Sequence, residues 1–79
     1  MTNEEIKKIE DAIKGISYDN INNGKFGTEV HIEWGDWKHD HARLDYLMAN
    51  IGYMKTNEEV TDEDGSDCYS ATHYYEQVA

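Results

Sequence analysis

The sequence has no proline, one cysteine in 79 residues, and no lysine or arginine after Lys55. Each shortage excludes something. Without proline, no loop has a fixed φ and no prolyl isomerisation slows folding. A lone Cys68 cannot build a disulfide framework, which suits a reducing interior and leads us to expect a cytoplasmic location, that of a host cell if the protein is phage-encoded. No apolar run is long enough to cross a bilayer and none has the form of a secretory leader, so no membrane role is expected. No basic patch exists for phosphates and no glycine-rich loop carries a Lys-Ser/Thr anchor, which disfavours direct binding of nucleic acid or nucleotides.

What is present is acid. Seventeen acidic residues face seven basic ones, a net charge of −10. Residues 1–55 hold ten acids and seven bases, whereas residues 56–79 hold seven acids and no base. Apolar residues make up 38% and aromatic residues 11%, so the chain can bury a core and is not a typical disordered polypeptide. We expect a single compact domain over residues 1–79; a chain of this size buries roughly 60–65% of its unfolded surface.

"TNEEIKKIEDAIKGI" predicts a first helix. Thr2 and Glu5 have capping-box spacing, Ile6, Ile9, Ile13 and Ile16 form one apolar stripe, and Gly15 is placed to end the helix in the left-handed region. Asn23-Gly24 predicts a tight hairpin turn. Upstream, Ile16, Tyr18 and Ile21 suggest a short strand. Downstream, Phe26, Thr28, Val30, Ile32 and Trp34 alternate with Glu29, His31 and Glu33, giving a half-buried strand with one wet face. After Gly35 a second helix is expected from about 37 to 51. Asp36 or Asp40 would cap it, and Trp37, His41, Leu44, Leu47, Met48 and Ile51 would form its buried face. Gly52 would close it and pack Tyr53 on Met48. "YMKTNEEV" and "CYSATHYYEQV" predict two further strands around a loop, "TDEDGSD". The order α-β-β-α-β-β predicts an α+β two-layer sandwich, one small sheet with both helices on one face. The wet face would carry Glu29, His31, Glu33 and some of the C-terminal tyrosines.

Three chemistries compete. His39, His41, Cys68 and His73 have the ligand types of a structural Zn2+ site, and a zinc-stabilised interaction domain is one reading. The spacing is poor: His39 and His41 meet one ion only if 38–41 is extended, and Cys68 and His73 fall on opposite faces of a regular strand. Each residue also has an ordinary structural role open to it, His41 as a core histidine, His39 as a solvated first-turn residue and Cys68 as a small hydrophobe. A calcium loop fails, because placing Gly65 at position six puts Val60 at position one and Ala71 at position twelve. A small metal-dependent or cysteine hydrolase is the weakest reading, since the neighbouring acids disfavour a Cys68 thiolate. We therefore expect no enzymatic activity and no catalytic residue.

The acid run supports binding instead. Glu58, Glu59, Asp62, Glu63, Asp64 and Asp67 span ten residues beside Tyr69, Tyr74 and Tyr75. Such a run is commonly a solvated face, but it also suits a basic cleft, with carboxylates standing where phosphates would sit and tyrosines as rigid anchors. In size, charge and lack of a reaction motif, together with this run and its tyrosines, the chain resembles small acidic phage proteins that block host defence, in particular anti-CRISPR proteins. That resemblance implies a nucleic-acid mimic that inhibits an RNA-guided nuclease by occupying its basic channel, without touching nucleic acid itself. The inhibitor would act as a monomer or a homodimer.

Overall fold

The computed structural model describes residues 2–25, 27–33, 38–63 and 68–78, and for residues 38 and 39 the backbone only. It has two helices and a four-stranded sheet in the expected order: α1 Asn3–Ala12, β1 Asn20–Gly24, β2 Gly27–Ile32, α2 Lys38–Asn50, β3 Tyr53–Glu63 and β4 Tyr69–Gln77. The sheet order is β1-β2-β4-β3, and every neighbouring pair is antiparallel. Strands β2 and β3 therefore run in the same direction on either side of β4. Their connection through α2 crosses over β4.

The first helix starts as its cap requires. The Thr2 hydroxyl accepts the Glu5 N–H at 3.2 Å and donates to the Glu5 carboxylate at 3.3 Å. The end differs from expectation. Ile13 is the C-cap, its N–H bonded to the Ile9 carbonyl at 3.0 Å. Among the described glycines only Gly27 and Gly52 have positive φ, so Gly15 does not close this helix. Ile9, Ile13 and Ile16 are buried and Ile6 is half-buried.

The hairpin turn lies two residues beyond the expected Asn23-Gly24 pair. Gly24 pairs with Gly27, so the turn lies between these two glycines, and β1 begins at Asn20. Tyr18 and Ile16 precede the strand and pack into the core. Core packing sets this register, for it puts Ile21 opposite Val30, and Gly27 supplies the positive φ (+105°). A Cβ on Gly27 would lie 2.6 Å from the Tyr75 carbonyl oxygen. Gly27→Ala should therefore lower stability by about 2 kcal/mol in urea denaturation. Gly15→Ala, where an added Cβ has nothing within 4 Å, should change it little.

Thr28, Val30 and Ile32 of β2 are buried, as the alternation predicted, and with them Ala71, His73 and Tyr75 of β4. Both helices cover this face: Ile9 and Ile13 of α1 and Leu44 and Met48 of α2 join Val30, Ile32, Tyr53 and Tyr75 in one core. Gly52, at φ +89°, closes α2 as expected. The opposite face is only partly wet. Glu33 is exposed, while Glu29, His31, Thr72 and Tyr74 are half-buried. His31 Nδ1 sits 3.0 Å from the Thr72 hydroxyl.

The largest departure is β3. Its eleven residues take in Thr61, Asp62 and Glu63, which the sequence placed in a loop. Irregularities in pairing with β4 occur between Lys55 and Asn57 and between Val60 and Asp62. The first has a direct effect. Lys55 lies opposite Tyr75 and Glu58 opposite His73, so both face the helices although they are three residues apart. In an unbroken strand they would point to opposite faces.

Candidate functional site

Two features of the sheet attract attention: a buried polar chain under α2, and the acidic edge of β3.

The chain centres on Lys55. Its ammonium has three donors and meets three acceptors: Asp45 Oδ2 of α2 at 3.1 Å, Glu58 Oε1 of β3, and His73 Nδ1 of β4 at 3.0 Å. Asp45 Oδ1 accepts the Tyr75 hydroxyl at 2.6 Å. His73 Nε2 lies 2.7 Å from His41 Nδ1, and His41 Nε2 lies 3.1 Å from the Tyr69 carbonyl oxygen. The His41 ring stacks on the Tyr69 ring, centroids 3.9 Å apart and planes 11° off parallel.

These partners assign the protons. A carbonyl oxygen only accepts, so His41 carries its hydrogen on Nε2. A neutral His41 then accepts at Nδ1, so His73 donates from Nε2. A neutral His73 accepts at Nδ1, and Lys55 donates there. One pattern satisfies every group in the line, with both imidazoles neutral. Burial pushes the His73 pKa down to about 4, and the Lys55 charge adds to it. Burial also lowers His41, against the pull of its bond to Tyr69. For Glu58, burial acts to raise the carboxyl, but the hydrogen bond and charge of Lys55 outweigh it and hold the pKa below 4.5. The Tyr75 hydroxyl is raised well above 10 by burial and by Asp45.

This chain bears on the metal reading. Of the four residues nominated as ligands, His41 and His73 come together and both are buried. Their nitrogens are already hydrogen-bonded to each other, to Tyr69 and to Lys55. His39 belongs to the first turn of α2, so the extended backbone needed at 38–41 is absent. Its side chain lies outside what is described. Cys68 is half-buried and immediately precedes β4. Among the described residues no group of three or more His, Cys, Asp or Glu could hold a metal ion. The same engagement argues against a cysteine hydrolase, because neither buried histidine has a nitrogen left to act as base for Cys68.

The nominated partner surface divides. Glu59, Asp62 and Glu63 are exposed on β3, an edge strand. Glu59 accepts the hydroxyl of the half-buried Tyr74 at 3.3 Å. Asp64 and Asp67 fall outside the described residues. Three nominees have internal roles. Glu58 is held by Lys55, Tyr75 is fully buried, and the ring of Tyr69 lies against His41.

Sequence reasoning missed Asp45 and Lys55. A signal existed for each. Asp45 is four residues after His41, beside the buried stripe, and Lys55 is the last base before a wholly acidic segment.

Comparison with protein-family models, with curated proteins and with solved structures finds no match for this chain.

Proposed function

We propose that the chain is a non-enzymatic acidic binding protein that blocks a nucleic-acid-binding effector, in the manner of anti-CRISPR proteins. The observation that supports this is the edge strand β3, on which Glu59, Asp62 and Glu63 are exposed, with no lysine or arginine after Lys55. Carboxylates on a rigid strand hold their spacing better than a loop would, and they meet a basic cleft without losing much conformational freedom. The strand's two irregularities and its charges also protect it from pairing with a second copy, because like charges would face each other.

The test is inhibition of DNA cleavage by a guide-loaded RNA-guided nuclease, titrated at rising salt. Inhibition should weaken as salt rises. The triple variant E59K/D62K/E63K, shown folded by circular dichroism, should lose about 100-fold or more in apparent affinity. Glu58 is left intact in this variant because it is part of the fold. Potency indifferent to salt, or full potency in the folded triple variant, would reject the strand as the contact.

A further inference from the structure

A second feature, independent of the β3 acids, lies at the far end of the sheet. A cavity of about 360 Å³ opens between the start of α1 and the ends of β2, β3 and β4. Its lining includes Glu5 and Glu76, with Thr28, Gln77 and Tyr53. Among the described residues no lysine, arginine or histidine lines it.

The decisive group is Tyr53. It is 2% exposed, and among the described residues its hydroxyl has no hydrogen-bond partner. No fully enclosed side-chain polar atom in that set lacks a partner, so this hydroxyl keeps some open surface, and Tyr53 lines the cavity. Thr28, 6% exposed, is in the same position. A buried tyrosine hydroxyl normally finds a partner. Two unpartnered hydroxyls on nearly buried residues, in a cavity that two glutamates also line, suit a donor that is also a cation. Burial and the nearby Glu5 charge both raise the Tyr53 pKa, which keeps the hydroxyl protonated and able to accept a hydrogen bond on oxygen.

We propose that this cavity binds a primary ammonium group on a short aliphatic chain. The ammonium would donate to a Glu5 or Glu76 carboxylate and to the Tyr53 or Thr28 oxygen, using its three donors. Anions are repelled by the two carboxylates. A hard divalent cation is poorly served, since two carboxylates are too few for its six or more oxygen ligands. The ammonium has two sources, a free amine or polyamine, or a lysine side chain of a partner protein.

The test is an amide-resolved NMR titration with n-butylammonium chloride, spermidine and a lysine-containing tripeptide, against sodium chloride and calcium chloride at matched ionic strength. Saturable shifts are expected at Thr28, Tyr53 and Glu76, with dissociation constants on the order of 1 mM for a ligand this small. Glu76→Gln and Tyr53→Phe should each weaken binding about fivefold or more. Tripeptide tighter than butylammonium assigns the group to a protein side chain; the reverse assigns it to a free amine. No saturable shift up to about 50 mM, equal shifts with sodium, or a calcium response in place of the amine response would overturn the site. So would unchanged affinity in both variants. Glu76 is exposed, so its variant decides the matter even if Tyr53→Phe folds poorly.

Discussion

Lys55→Met is expected to be the most destabilising single substitution under α2, costing about 3 kcal/mol. Removing it leaves Asp45, Glu58 and His73 Nδ1 without their common donor. Stranding one partner of a fully buried ion pair costs about 3–5 kcal/mol. The lower end applies here because Lys55, Asp45 and Glu58 keep part of their side-chain surface in water (24%, 37% and 30% exposed). A domain of this size has about 5–10 kcal/mol in total, so urea unfolding should show roughly half of it gone. The variant should also change its histidine chemistry. With the lysine charge removed and Glu58 Oε1 3.2 Å from His73 Nδ1, the His73 pKa should rise, and the proton should donate to Glu58 in place of Lys55. The His73 ring-proton shift followed against pH measures this. A K55M/D45N/E58Q combination, which removes all three charges together, should recover part of the lost stability. A single variant as stable as the parent would mean the lysine bridge holds nothing together.

The second large effect is a loss of stability in mild acid. His73 has a pKa of about 4 when folded, against its ordinary 6.5. Between these values the unfolded chain binds a proton that the folded chain refuses, so stability rises with pH across this window. The contribution is fully present above 6.5 and lost as pH falls towards 4, amounting to about 3 kcal/mol. His41 is shifted in the same direction and adds to the same trend. Glu58, held below 4.5, extends the loss to lower pH, since a depressed carboxylate stabilises only while ionised. Urea midpoints measured from pH 7.5 to 4.5 should fall steadily. His73→Gln, with an amide oxygen to accept from Lys55 and an amide N–H to donate to His41, should flatten the curve between 6.5 and 4.5. A profile equally steep in that variant would place the acid sensitivity elsewhere.

Much of this fold could be read from local pattern. The α1 stripe at Ile9, Ile13 and Ile16, the alternation at Thr28, Val30 and Ile32, and the Gly52 stop each follow from spacing within one element. The buried chain could not be read that way. His41 and His73 are 32 residues apart, and only the antiparallel placement of β4 under α2 brings them together. The irregularity after Lys55 was equally hidden. Strict period-two reading sends Lys55 and Glu58 to opposite faces and makes Glu58 a surface acid, so the acid run looked uniform when one member was structural. The hairpin was misplaced because Asn-Gly is a strong turn signal, whereas the pairing of Ile21 with Val30 is a tertiary preference that outweighed it.

The strand order has a kinetic consequence. The sheet consists of two hairpins, β1-β2 and β3-β4, each formed from near neighbours in the chain and each unable to bury its inner face alone. Among the described residues their strands pair along the β2–β4 seam alone, where Thr28 to Ile32 pair with Tyr75 to Ala71. Among the described residues that seam is the long-range closure of the sheet, so its formation should set the folding barrier. Amide exchange should show it directly. The β2–β4 seam amides should exchange only on global unfolding, while those facing outward on β1 and β3 are lost early. The histidine chain lies just beneath this seam, and both imidazoles are dehydrated only once the two hairpins have docked.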